Sequence, residues 1–217
     1  MEQSVAFVGL GYIGLPTAVV MANSGLDVTG VDVMQEKVDA VNAGKVTIVE
    51  PGLDEELRKA LDLGKFRAST EMPEADAYVI AVPTPFQSDY SVDMRFIYSA
   101  AEAIAPKLTG GELIVLESTS PPLTTQRMAE RIVELRPEFA IDGQNNPENK
   151  PTIYVAHCPE RILPGKAMEE LRTNDRIIGG MSSAATEKAR DVYASFCRGE
   201  LLETNDRTAE LAKLTEN

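Results

Sequence analysis

Short apolar, β-branched runs alternate along the chain with segments of helical periodicity. Residues 5–8, 28–31, 78–82 and 113–116 are Val/Ile/Ala/Leu-rich and read as buried strands, as do the shorter runs 153–156 and 177–178. Residues 15–24, 35–43, 96–108, 125–135 and 182–196 carry helical spacing, with Pro16 tolerable in a first turn and Ser182 or Ser183 as a cap. Continuously apolar strands separated by helices imply a parallel sheet covered on both faces. The expectation is one doubly wound α/β domain over residues 1–204. Residues 142–151 (DGQNNPENKP) are the most polar stretch and predict an exposed loop. Residues 208–217 (TAELAKLTEN) are helical in pattern but lack a glycine cap, a basic last turn or a following proline. The expectation is the start of a longer helix, over residues 205–217, that the chain cuts short.

Composition narrows the partners. Lys plus Arg number 21 against 34 Asp plus Glu, a net charge of −13. That balance argues against nucleic acid or an anionic membrane surface, both of which reward a basic face. Apolar runs fall well short of the roughly 18 residues a membrane span needs, and no basic n-region opens the chain. Two cysteines, Cys158 and Cys197, make no disulfide framework, and no metal site is expected. These features fit a cytoplasmic protein with reduced thiols.

Gly9-Leu10-Gly11-Tyr12-Ile13-Gly14 follows the first strand directly and opens the first helix. In that context G-x-G-x-x-G is a phosphate cradle. Gly9 permits the tight turn, Gly11 admits a pyrophosphate to the backbone, and Gly14 packs helix on strand. N–H groups near Tyr12 and Ile13 then face the phosphates. Asp32 ends the second strand 18 residues after Gly14. A carboxylate there accepts from a ribose 2′-OH and repels a 2′-phosphate, which favours NAD over NADP. Val82-Pro83-Thr84-Pro85 and Glu117-Ser118-Thr119-Ser120-Pro121-Pro122 each follow a strand and read equally as rigid turns or binding loops.

The motifs GLGYIGLPTA, GVD, EPGL, VPTP, ESTSPP, CPERILPG, NDRIIGG and TAELAKLTEN, in this order, resemble the nucleotide-sugar 6-dehydrogenases over essentially the whole chain. The likeness is nearest to the branch acting on UDP-N-acetyl-D-mannosamine. It implies a Rossmann-like NAD-binding domain, followed in the family by a central dimerising helix and a C-terminal UDP-binding domain that this chain lacks. The implied activity is oxidation of a UDP-sugar C6 alcohol to the carboxylate with two NAD, in the synthesis of cell-surface polysaccharide precursors. A cysteine thiolate captures the aldehyde between the two oxidations. UDP-N-acetylglucosamine and UDP-glucose remain alternative substrates.

Carried over by position, Lys213 resembles the family's proton donor and acceptor and Asn217 its partner on the developing oxyanion. Glu160 resembles the general base, and Thr119 the residue that positions water or the nicotinamide. Arg161 and Ile162, with Glu160, Lys213 and Asn217, resemble substrate contacts. Tyr12, Ile13, Asp32, Pro83, Thr84, Thr119 and Thr125 resemble cofactor contacts. Lys213 and Asn217 stand i and i+4, on one helix face. His157, the sole histidine, reads as structural, and both thiols as inert. The full-length parent is expected to be a homodimer or higher oligomer, and the fragment to bind NAD without turnover. Two rivals are a β-hydroxyacid dehydrogenase, which shares the glycine opening, and a dinucleotide-binding module with no turnover.

Overall fold

The computed structural model describes residues 3–46, 48–88 and 91–216. The sheet begins with β1 (Ser4–Val8), β2 (Asp27–Val31), β3 (Phe66–Ser69), β4 (Ala77–Ile80) and β5 (Leu113–Leu116). It continues with β6 (Ala140–Ile141), β7 (Thr152–His157), β8 (Arg176–Gly180) and β9 (Leu201–Asn205). Strand order is β3-β2-β1-β4-β5-β7-β8-β9, with β6 beside β7. Pairing is parallel throughout except between β7 and β8.

Alternation along each strand feeds two cores, which explains the uninterrupted apolar runs. Val5, Phe7, Val79, Leu113 and Val115 face one layer, while Ala6, Val8, Ile80, Ile114 and Leu116 face the other. The first layer holds α1 (Gly14–Asn23), α2 (Gln35–Asn42), α3 (Leu53–Asp62), α6 (Ala167–Thr173) and α7 (Ser183–Ala194). The second holds α4 (Arg95–Ile104) and α5 (Thr124–Leu135). A last helix, α8 (Asp206–Glu216), follows β9 directly and packs on β8, where a Cβ on Gly179 would lie 2.5 Å from that of Ala209.

The structure refines several expected boundaries. The strand expected over 78–82 ends at Ile80, although Ala81 N–H still donates to the Val8 carbonyl at 2.9 Å. The helix expected over 96–108 closes at Ile104 and tightens into a 3₁₀ turn at Ala105–Lys107. Pro106 has no N–H to give, so the α-helical ladder cannot continue through it. Ser182 is the cap of α7, its hydroxyl accepting from Ala185 N–H at 3.0 Å. The segments α3, β3, β6, α6 and β9 were not foreseen.

Strand order reverses between β1 and β4, so a crevice opens at their carboxyl ends. The glycine loop, Asp32 and the loops that follow β4, β5 and β7 all lie directly after strand carboxyl ends.

Candidate functional site

The glycine loop is built by contact on two sides and space on the third. Gly9 has φ +100°, and a Cβ there would sit 2.5 Å from the Ala81 carbonyl oxygen at the end of β4. Its N–H donates to the Val31 carbonyl at 2.8 Å, pinning the turn to β2. A Cβ on Gly14 would lie 1.8 Å from the Gly9 carbonyl oxygen. Gly11 is different: a Cβ there would meet nothing within 4 Å. Neither backbone strain nor packing asks for glycine at 11, whereas a ligand lying on the backbone would. The first turn of α1 has no side-chain cap and no acidic residue. An open, uncapped helix N-terminus beside a bare backbone fits a pyrophosphate, so these residues fit the NAD that the sequence implies.

Asp32 is 8% exposed and fixed at the end of β2. Its carboxylate accepts from Leu10 N–H at 3.0 Å, Met34 N–H at 3.1 Å and Lys37 Nζ at 2.6 Å. Burial works to raise this carboxyl, but Lys37 and the two backbone donors outweigh it and hold it below its usual value. Asp32 is therefore ionised at neutral pH and retains acceptor capacity for a ribose. Lys37 was not foreseen as part of this corner. Its position five residues on, in α2, was the available signal.

The loops after β4 and β5 are laced together. Thr84 donates its hydroxyl to the Thr119 carbonyl at 2.7 Å, and Ser118 donates to the Val82 carbonyl at 2.7 Å. Pro83 is exposed and Thr119 half-buried at this junction. These bonds make the two loops mutually rigid at the carboxyl ends of β4 and β5. Thr125 is placed differently from expectation. It is fully buried, and both its N–H and its hydroxyl donate to Glu210 Oε1, at 2.8 and 2.7 Å. Its donors are spent inside the protein, so the geometry does not support a cofactor contact at Thr125. Glu210 Oε2 also accepts from Leu123 N–H at 2.7 Å, which places an anion at the amino end of α5 and ties α8 to it.

The loop from 158 to 166 carries the expected base. Glu160 is 8% exposed, and its carboxylate accepts from Ile162 N–H. Burial lifts its carboxyl to about 8 against the pull of the Arg176 charge; Glu117 adds to the rise and Lys213 opposes it. Lys213, on α8, thus acts electrostatically on Glu160. Arg161 does not pair with its neighbour Glu160 but reaches Glu216 on α8 at 2.6 Å. The Arg161 carbonyl accepts from Asn174 Nδ2 at 3.1 Å, joining the CPERILPG and NDRIIGG segments. Asn217 lies outside the described residues.

Beneath this loop lies a charge cluster the sequence did not reveal. Arg176 and Glu117, both 2% exposed, approach at 3.3 Å, and Tyr193 donates its hydroxyl to the same Glu117 oxygen at 2.7 Å. The guanidinium also stacks over the Tyr193 and Phe196 rings, 5.3 and 5.7 Å from their centroids. Burial raises the Glu117 carboxyl, with Arg176 opposing. His157 is fully buried, and burial lowers it to about 3, so it stays neutral. Cys158 is buried and its thiol pushed up by that burial; Cys197 is buried as well. Neither thiol has the exposed, cationic setting of a nucleophile. Among the described residues, no group of His, Cys, Asp and Glu is arranged to hold a metal ion, and no helix is long and apolar enough to cross a membrane.

Comparisons with known proteins agree with this construction. Residues 3–197 match the model of the UDP-glucose/GDP-mannose dehydrogenase family, NAD binding domain. The chain is 48% identical over 214 residues to the UDP-N-acetyl-D-mannosamine dehydrogenase of Escherichia coli K12, covering 99% of this chain and 50% of that protein. It is 49% identical over 215 residues to the NDP-N-acetyl-D-galactosaminuronic acid dehydrogenase of Ralstonia nicotianae, with the same two coverages. The solved structure of the UDP-N-acetyl-mannosamine dehydrogenase Cap5O from Staphylococcus aureus superposes with a TM-score of 0.89 at 42% identity, over 99% of this chain and 50% of that one. The chain thus spans about half the length of the relatives it matches. With an open glycine cradle, a buried carboxylate at the end of β2 and this match, the chain belongs to the UDP-glucose/GDP-mannose dehydrogenase family and comprises its NAD-binding domain.

Proposed function

We propose that this chain is the cofactor-binding part of a longer cytoplasmic, oligomeric nucleotide-sugar dehydrogenase, which oxidises the C6 alcohol of UDP-N-acetyl-D-mannosamine to the carboxylate. Residues 1–204 form the NAD-binding domain on this reading, and 205–217 begin a central helix. The observation that carries it is the open glycine cradle, whose Tyr12 hydroxyl oxygen accepts from Gly165 N–H at 3.0 Å in the loop that also bears the buried Glu160. Half-length coverage of every relative described above supports the longer parent.

NAD, when bound, supplies the hydride acceptor. The chain's own residues supply proton handling and placement. Lys213 takes the proton from the sugar O6 and, with Asn217, stabilises the oxyanion that develops there, an effect typically worth a few kcal/mol. Glu160, raised to about 8, is a stronger base than an ordinary carboxylate once it is ionised, so its capacity to draw a proton from water grows as pH rises towards 8. Thr119 orients that water, and Arg161 and Ile162 hold the substrate. Tyr12, Ile13, Pro83 and Thr84 line the cofactor side. Both cysteines are buried here, so the thiolate that captures the aldehyde belongs to the part that follows.

The nearly equal identity to a galactosaminuronic acid dehydrogenase favours the N-acetylhexosamine class and supports a second reading, a different N-acetylhexosamine epimer. The test is NADH production by the full reading-frame product with UDP-N-acetylmannosamine, UDP-N-acetylglucosamine, UDP-N-acetylgalactosamine and UDP-glucose. The expected result is two NADH per N-acetylmannosamine substrate and none from the 217-residue chain alone. Turnover by the isolated chain would refute the division of labour.

A further inference from the structure

We propose that Glu50 is a positioning residue that ties the state of the glycine loop to that of the loop bearing Arg161 and Ile162. The proposal rests on the reading that NAD lies on the glycine loop.

Glu50 is 6% exposed and belongs to neither flanking helix. Pro51 and Gly52, the latter at φ +80°, form the turn that presents it, and Leu53 anchors the turn in the core. Its carboxylate gathers donors from two distant segments. Oε2 accepts the Tyr12 hydroxyl and, at 2.9 Å, the N–H of Gly165. Oε1 accepts the N–H of Ala167 at 2.8 Å. The Gly165 N–H also points at the Tyr12 oxygen, 3.0 Å away. One buried anion is thus shared by the middle of the phosphate cradle and the far end of the loop carrying the expected substrate contacts.

The body of that loop is anchored by Cys158 N–H, which donates to the Leu116 carbonyl at 3.1 Å, and by the Arg161–Glu216 ion pair. Residues 158–166 form no helix or strand, and Leu163 is 60% exposed. Asn174 secures the carbonyl of Arg161 and Glu170 the N–H of Leu163, but the Gly165–Ala167 end hangs on Glu50. Charge-assisted bonds of this kind are stronger than neutral ones, and they act only while every partner is in place. A dinucleotide lying on the backbone of residues 11–13 restrains Tyr12, and so restrains the Glu50 carboxylate and the loop it holds. Because coupling between two sites is reciprocal, a ligand gripping Arg161 and Ile162 strengthens the hold on NAD in turn.

Amide hydrogen exchange on the 217-residue chain, followed by NMR with and without saturating NAD, tests this. In the wild type, NAD should slow exchange at Gly165 and Ala167 by about tenfold, alongside slowing at Gly11–Gly14. In Glu50→Gln, at a saturating NAD concentration titrated for that variant, slowing should persist in the glycine loop and vanish at 165 and 167. If Glu50→Gln does not fold, Tyr12→Phe serves: it keeps the carboxylate but removes the phenol link, and the NAD response at 165 and 167 should again be lost. Protection of the glycine loop without any response at 165 and 167 in the wild type would overturn the coupling and leave the cofactor reading standing. Retention of the response in either variant would equally overturn it. No response at either segment would overturn the cofactor reading, and this proposal with it.

Discussion

Replacing Glu160 with Gln should alter the pH dependence of stability more than its size at any one pH. Burial lifts this carboxyl from 4.5 to about 8, with Arg176 and Lys213 pulling the other way. Between those values the folded chain keeps a proton that the unfolded chain has released. The stability this contributes is fully present below pH 4.5, declines as pH rises towards 8, and is flat beyond it. At about 1.36 kcal/mol per pH unit, the shift sets an upper limit near 5 kcal/mol. Relaxation and water entry at a rim roughly halve such penalties, so a working figure is about 2–3 kcal/mol. Gln keeps the shape and an acceptor for Ile162 N–H but has no proton to lose. Urea unfolding of both proteins at intervals from pH 5 to 9 isolates the effect, because contributions from Asp32 and the other shifted groups that do not interact with Glu160 cancel in the difference. Wild type minus variant should fall by about 2–3 kcal/mol across that range. Parallel profiles, constant to within about 0.5 kcal/mol, would mean that Glu160 titrates in the ordinary range and would remove the basis for its role as a base.

Gly11 and Gly14 should separate fold from function. Gly11→Val should fold normally yet lose the stabilisation of about 2.7 kcal/mol that NAD at 100 times its Kd gives the wild type, read as a missing Tm shift. Gly14→Ala, whose Cβ meets the Gly9 carbonyl, should instead lose about 1–3 kcal/mol or more in urea without any ligand. Glu210→Ala strands the buried donors of Leu123 and Thr125 and should cost about 3 kcal/mol, with faster exchange at the start of α5. Both thiols should resist a disulfide reagent in native buffer and react together on unfolding; rapid native labelling of Cys158 would contradict its burial.

A mostly parallel sheet covered on both faces was legible because strands buried on two faces must be continuously apolar, as residues 5–8 and 113–116 are; the strand order was not. β9 escaped notice because it is an edge strand, with Leu202 and Glu203 exposed, and so carries no such run. In α3, apolar residues at 53, 57 and 60 do follow helical spacing, but four acidic and two basic side chains in ten positions obscure it. The glycine cradle and Asp32 were readable because spacing alone places them at consecutive strand ends. The carboxylates that bind the rim together were not. Glu50, Glu117 and Glu210 meet their partners across 38 to 117 residues, and no local pattern announces a buried charge whose donors come from elsewhere. Thr125 shows the converse: a residue in the expected position at a helix start, whose donors a distant glutamate has taken.

The central claim, that this chain is a cofactor domain built for NAD, is tested most directly by titration calorimetry of the 217-residue chain with NAD and with NADP. The ionised, buried Asp32 at the ribose corner predicts saturable NAD binding, weaker binding of NADP, and a narrowed preference in Asp32→Ala. Absence of NAD binding by the folded chain, or tighter binding of NADP, would contradict it.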